Sequence, residues 1–158
     1  MFWFKSQKGT VVDETDLYLT SLIKRYESFS AKPYTCPGGV ATIGYGTTVY
    51  PNGTKVTLKD KPITEKQAEE YLKDYVRKQI LPHIDGFGLT PNQTIALTSL
   101  IYNIGWTAFS RSACWKAIKA KNWGEAYNQY NWIKSKGKVL NGLIKRRSEE
   151  MYLFFGDL

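Results

Sequence analysis

The sequence predicts an α+β fold in which a small antiparallel sheet is segregated from a bundle of helices. Three observations carry this. Glycines and β-favouring residues crowd into residues 30–60, where Gly38, Gly39, Gly44, Gly46 and Gly53 interrupt short runs such as Val40-Ala41-Thr42-Ile43. Two capping boxes, Thr64-Glu65-Lys66-Gln67 and Thr90-Pro91-Asn92-Gln93, then open long helical patterns. The 158 residues, 42% hydrophobic and 15% aromatic, suffice for one domain with a real core and are too rich in apolar side chains for disorder.

The elements follow in order. Residues 1–12 read as an irregular N-terminal arm whose Phe2, Trp3 and Phe4 are expected to pack on the body, with an interaction patch as the alternative. A first helix starts near Asp13 or Thr15 and ends near Tyr26, because Leu17, Leu19, Leu22, Ile23 and Tyr26 recur near helical spacing. The sheet lobe covers about 28–62, with Pro51-Asn52-Gly53 as a turn. A linking helix occupies about 64–81 and stops at Pro82. The helical lobe covers about 83–155. Its central helix carries Ile95, Ala96, Leu97, Leu100, Ile101 and Ile104, is apolar on most sides, and stops at Gly105. Shorter helices are expected at about 112–120 and 123–133, a loop at Lys136-Gly137-Lys138, and a last helix at about 143–154. Residues 13–158 thus read as a single domain, with a cleft between the sheet and the bundle as the natural ligand site.

Composition narrows the function. With 22 basic and 14 acidic residues the net charge is +8, which draws the chain toward polyanions such as nucleic acid, anionic membranes or acidic wall polymers, or simply keeps it soluble. The basic residues are spread along the chain apart from Lys134–Lys138 and Lys145–Arg147, so a nucleic-acid footprint is not expected. Two cysteines and the single His83 are too few for a Cys/His zinc site, and no metal or cofactor is expected. Nothing approaches the roughly 18 apolar residues of a membrane span, and the apolar start is too short for an export signal or anchor. Leu143, Ile144, Met151, Tyr152, Leu153 and Phe154 are expected to close the core rather than form a membrane-active tail.

The chemistry gathers around Glu27. A carboxyl at the C-terminal end of the first helix meets the negative end of the helix dipole, and Tyr26, Phe29 and Tyr34 partly bury it. Both effects favour a glutamic acid that is still protonated near neutral pH, which suits protonation of a glycosidic leaving oxygen. Most lone glutamates are solvated surface residues, so the spacing matters more. After eight residues comes Cys36, and after five more Thr42, on a hairpin that returns over the helix end. Inverting glycoside hydrolysis places an acid on one side of the bond and a water on the other. Thr42 can hold that water through its hydroxyl, and Cys36 can act as a weakly basic thiolate or as a polar neighbour; alternatively Cys36 is a small buried residue.

The spacing Glu27, eight residues, Cys36, five residues, Thr42 resembles the catalytic signature of the phage-type lysozymes, glycoside hydrolase family 24, in the branch with cysteine at the middle position. The run Ala31-Lys32-Pro33-Tyr34-Thr35-Cys36-Pro37-Gly38-Gly39-Val40-Ala41-Thr42-Ile43-Gly44-Tyr45-Gly46 is similar to the family's active-site hairpin. Leu89-Thr90-Pro91-Asn92-Gln93 with Tyr102-Asn103-Ile104-Gly105 resembles its central helix, and Gly142-Leu143-Ile144-Lys145-Arg146-Arg147 with Glu149 its closing helix. The resemblance spans about residues 17–155 and implies a lysozyme-like fold.

It further implies that Glu27 is the general acid and that Cys36 and Thr42 position the water. Tyr102 and Ser112 match positions lining the sugar cleft, with Thr48, Asn103 and Gln129 as further substrate contacts. Arg146 or Arg147 would pair with Glu27, or else face solvent. Two departures are Ser28, where the family often has glycine, and Thr47, where it often has histidine; both bear on packing.

The implied activity is hydrolysis of the β-1,4 bond between N-acetylmuramic acid and N-acetylglucosamine. A lytic transglycosylase, which needs one acid and no water, or a peptidoglycan-binding module without catalysis are the alternatives. The resemblance implies a monomeric phage or prophage endolysin that acts on peptidoglycan strands, waits in the host cytoplasm, and reaches the wall through a separately encoded holin. A Cys36–Cys114 disulfide lock is left open.

Overall fold

The computed structural model describes residues 14–158. They fall into two compact units, one running to Gln79 and the other from Ile80 to Leu158. The boundary lies inside the expected linking helix, and the first helix belongs with the sheet. The expected arm, residues 1–12, lies outside the described residues.

The first unit opens with α1 (Glu14–Glu27). Leu19, Leu22 and Ile23 share one face at helical spacing and are fully buried. The helix ends at Ser28, whose N–H donates to the Lys24 carbonyl at 3.2 Å and whose φ is 57°. A left-handed residue just past a helix end favours glycine. Serine here therefore bears on backbone conformation rather than on packing.

Strands β1 (Ser30–Thr35) and β2 (Ala41–Gly44) pair antiparallel, with Tyr34 opposite Thr42 and Thr35 opposite Ala41. The register breaks between Ser30 and Tyr34, a stretch containing Pro33, which has no N–H to give the ladder. The sheet expected across residues 30–60 is smaller than its composition suggests. Beyond the hairpin it is reduced to the bridges Ile43–Thr47 and Val49–Lys55, because turns consume most of the segment. Gly44 and Gly46 take φ of 65° and 88° to close the tightest of them. A Cβ on Gly44 would stand 3.0 Å from the Ala68 Cβ, so β2 and the next helix approach closely there.

That helix, α2 (Glu65–Tyr75), starts with both halves of the expected capping box at Thr64 and buries Ala68 and Leu72. It does not run on to stop at Pro82. A π-helical turn, Val76–Ile80, interrupts it, and α3 (Leu81–Ile84) follows with Pro82 inside. At the second position of a helix the missing N–H would have had no partner, so proline is tolerated.

In the second unit, α4 (Pro91–Ile104) is capped by Thr90 and packs along α8 (Asn141–Phe155). Ile95 through Ile101 are all buried, as expected for the central helix. Gly105, with φ of 86°, ends it but also opens α5 (Trp106–Ser110), a helix the sequence did not announce. Helices α6 (Ala113–Lys119) and α7 (Trp123–Gln129) pack on each other. Aromatic contacts join Phe87, Trp106, Phe109, Trp115 and Trp132, with the His83 ring stacked on Trp106 at 4.3 Å. The expected loop at Lys136-Gly137-Lys138 is part of a hairpin, β3 (Lys134–Ser135) and β4 (Lys138–Val139). Phe154 is buried and closes the core as expected, whereas Ile144 and Tyr152, expected to do the same, are exposed. No helix among the described residues is long and apolar enough to cross a membrane.

Candidate active site

The first unit carries Glu27, Cys36, Thr42 and Thr48. Glu27 is the last residue of α1 and half-buried. The chain reverses at Ser28 and returns as the β1–β2 hairpin. Residues two apart on a strand share a face, and directly paired residues do so across it. Tyr34 therefore stands on one face of the hairpin with Thr42, its partner in register, and Cys36 follows on the same side just beyond β1. The Tyr34 phenol is pushed up, first by burial and then by the charges of Glu27 and Cys36.

The hairpin tip shapes the thiol. Cys36 N–H donates to the Val40 carbonyl at 3.0 Å, and Gly39 N–H donates to the Cys36 carbonyl at 2.8 Å. This curl turns amides toward the sulfur. The Val40 N–H first, then the Gly38 N–H, hold the Cys36 thiol below the ordinary cysteine range. That favours a thiolate, the form able to orient or deprotonate a water. Thr42 is 3% exposed, and its hydroxyl donates to the Val40 carbonyl at 3.0 Å, which leaves its oxygen lone pairs as acceptors. Thr48 is half-buried on the irregular rim beyond the tight turn, where its carbonyl accepts from Val56 N–H at 2.9 Å.

The second unit carries the remaining residues. Tyr102 and Asn103 occupy the last turn of α4, Tyr102 half-buried and Asn103 exposed. The Asn103 Oδ1 accepts from Arg147 Nη2 at 2.9 Å. A guanidinium only donates, so this bond fixes the amide with its carbonyl inward and its N–H₂ outward. Ser112 is the N-cap of α6: its hydroxyl accepts from Trp115 N–H at 3.1 Å and donates to the Phe109 carbonyl at 2.6 Å. Gln129 closes α7 and donates to Glu125 at 2.9 Å. Both are committed to their own helices, with no direct bond to Tyr102 or Asn103 among those described.

Arg146 and Arg147 do not lie on a solvated helix face, since they are 3% and 1% exposed. Both meet Glu150, which is fully buried. Its carboxylate also accepts from the Ser99 hydroxyl at 2.7 Å and the Tyr130 hydroxyl at 3.2 Å. Arg147 Nη2 donates to it at 3.1 Å, and Arg147 Nε sits 2.8 Å away as an ion pair without the alignment of a hydrogen bond. Burial pushes the Glu150 carboxyl up, while the guanidiniums and hydroxyls pull it back.

The sequence reading did not single out Glu150. It placed Tyr34 beside Glu27 as a burying ring without counting it among the site residues.

Both cysteines are free thiols. Cys114 is buried, its S–H directed at the Ala126 carbonyl at 3.6 Å, and burial pushes it up to about 12. No three His, Cys, Asp or Glu side chains among the described residues gather closely enough to hold a metal ion. An open groove of about 580 Å³ on α1 and α2, lined by Lys24, Phe29, Tyr45, Glu65 and Glu69, contains none of the expected site residues and is crossed by ion pairs of Lys24.

Known proteins resemble this chain in sequence and in fold. The family model for phage lysozyme matches residues 24–150. An endolysin of Acyrthosiphon pisum secondary endosymbiont phage 1 is 39% identical over 140 residues, covering 84% of this chain and 92% of that protein. The solved endolysin from Escherichia coli O157:H7 phage FAHEc1 superposes with a TM-score of 0.74 at 30% identity, covering 96% of this chain and 98% of that one. The muramidase domain of SpmX from Asticaccaulis excentricus gives a TM-score of 0.73 at 29% identity, over 87% and 94% of the two chains. With the acid, thiol and hydroxyl of the hairpin inside the matched region, the chain belongs to the phage lysozyme family.

Proposed function

We propose that this chain is a phage endolysin, a lysozyme-type glycosidase that hydrolyses the β-1,4 bond between N-acetylmuramic acid and N-acetylglucosamine in peptidoglycan. The observation that carries the mechanism is the hairpin that follows directly on Glu27 at the end of α1 and pairs Tyr34 with Thr42, with Cys36 just beyond β1. Glu27 protonates the leaving oxygen as positive charge develops on the sugar ring. Cys36 as thiolate and the Thr42 hydroxyl hold the attacking water. Thr48, Tyr102, Asn103, Ser112 and Gln129 bind the glycan, with Asn103 offering an outward N–H donor. Arg146 or Arg147 is proposed to support Glu27 electrostatically; for Arg147 this would be at long range, since its ion pair is with Glu150. The protein works as a monomer without a cofactor, waits in the host cytoplasm, and reaches the wall when a separately encoded holin opens the membrane.

Digestion of purified peptidoglycan by the parent protein and by Glu27→Gln tests this, with product masses as the readout. Each cut should add one water, and the Glu27→Gln variant should fold normally yet release nothing. Products lacking the added water identify a transglycosylase. Retained cutting by the variant overturns the assignment of Glu27, and binding without cutting by the parent leaves only a wall-binding module.

A further inference from the structure

From Ala126 to Ser148 the chain contains no acidic residue. Within this stretch Lys134, Lys136, Lys138 and Lys145 are all exposed, and none is paired with a carboxylate among the described residues. The two arginines that follow are buried against Glu150, so the surface charge here belongs to the lysines.

Three aliphatic side chains lie among them: Val139 is 50% exposed, Leu140 43% and Ile144 39%. They belong to the same hairpin and helix start, Val139 and Leu140 on the two faces of the extended chain there. Val139 pairs with Lys134 across the hairpin, Leu140 N–H donates to the Ile133 carbonyl at 3.0 Å, and Ile144 stands one helical turn above Leu140.

Local stability does not explain these choices. Leu140 occupies the N-cap of α8 without a side-chain cap bond, where Ser, Thr, Asp or Asn would stabilise the helix. Lys136 takes φ of 49° in the two-residue turn, a position that glycine or asparagine fills more easily. Exposed lysine and exposed leucine are thus kept where other residues would fold better.

We propose that the β3–β4 hairpin and the first turns of α8 dock peripherally on an anionic phospholipid bilayer. The lysines meet headgroup phosphates, and Val139, Leu140 and Ile144 enter the boundary between headgroups and acyl chains. A soluble polyanion would use the lysines alone; the aliphatic trio between them is what a bilayer adds. The docking involves no residue of the proposed catalytic machinery and stands apart from the glycosidase reading.

The test is co-sedimentation of the full chain with phosphatidylcholine vesicles, with and without phosphatidylglycerol. Binding should require the anionic lipid and weaken with salt. The K134E/K136E/K138E variant should lose more than about tenfold in partition, and the milder K134Q/K136Q/K138Q set should fall between it and the parent. The V139S/L140S/I144S variant should lose about threefold or more while keeping every charge.

The K55E/K59E/K61E variant carries the same charge change on exposed residues of the other unit and should bind far better than K134E/K136E/K138E. Unchanged digestion of isolated peptidoglycan checks that the variants fold. Equal loss from both lysine sets reduces the effect to net charge and overturns the proposal. So does a serine variant that binds vesicles as the parent does, or a parent that prefers soluble polyphosphate to vesicles.

Discussion

Replacing Glu150 by glutamine removes one buried charge at nearly constant volume. In the parent this carboxylate receives Ser99 at 2.7 Å, Tyr130 at 3.2 Å, Arg146 Nε at 3.3 Å and Arg147 Nη2 at 3.1 Å. Arg147 has no other carboxylate among the described residues, and its Nη1 already lacks an acceptor. The variant therefore leaves Arg147 charged, buried and unneutralised, and replaces one acceptor oxygen of the carboxylate by an amide N–H₂ among the guanidinium donors, where only the Ser99 and Tyr130 hydroxyl oxygens could receive it. Breaking a buried pair from one side costs about 3–5 kcal/mol. For a chain of this size that lowers Tm by roughly 6–20 °C.

Urea unfolding of Glu150→Gln, Arg147→Met and the double variant measures the cost. The double variant should be less destabilised than the sum of the singles by about 1–3 kcal/mol, because methionine removes the stranded charge. A Glu150→Gln protein within about 1 kcal/mol of the parent, or additive singles, would refute the argument that this carboxylate neutralises the arginine. Arg147→Met should also raise KM more than it lowers kcat, since it frees the Asn103 amide to rotate.

Ser28→Gly relieves the left-handed φ at the end of α1 and should stabilise by about 0.5–1 kcal/mol once the added freedom of the unfolded chain is subtracted, which a thermal melt will show. Gly44→Ala should cost about 1–3 kcal/mol, because the added Cβ meets both the positive φ and the Ala68 side chain; a neutral result would mean that β2 and α2 give way there. Thiol titration at mildly alkaline pH should count one fast sulfhydryl, Cys36, in the native protein and two after unfolding, and a count of none in the native protein would contradict the free Cys36 thiol.

Because the hairpin lowers the Cys36 pKa, hydrolysis should rise with pH through a value below the ordinary thiol range. Cys36→Ser should abolish that limb, and Cys36→Asp should move it to near the carboxylate range, about pH 4. An unchanged profile in both variants means that the thiolate does not manage the water.

The parts legible in the sequence were those written locally. Thr64 and Thr90 announced their helices because a capping box satisfies backbone donors within four residues, and both boxes formed as read. Of the apolar spacing read for α1, Leu19, Leu22 and Ile23 are its buried face, whereas Leu17 is exposed and Tyr26 half-buried. Pro82 misled because its effect depends on whether a helix has just restarted, and the π turn before it left no sequence mark. The β3–β4 hairpin escaped because strands of two residues carry no alternation to detect.

In the site, Glu27, Cys36 and Thr42 were visible as a spacing. What the spacing could not reveal was the curl of amides that favours the thiolate, or the shared influence of acid and thiol on Tyr34. The Asn103–Arg147 bond joins residues 44 positions apart, and Glu150 gains its partners from Ser99 on α4 and Tyr130 just past α7.

The fixed amide of Asn103 makes the proposed glycan site directional. Its carbonyl is consumed by Arg147, so what faces outward is a donor alone. An N-acetyl group offers that donor a carbonyl. A sugar stripped of its acetyl group presents an ammonium instead, which donates and is positively charged, on a protein that already carries +8. Walls rich in deacetylated amino sugars should therefore resist this protein through a mismatch of donors, even where the bond to be cut is chemically unchanged.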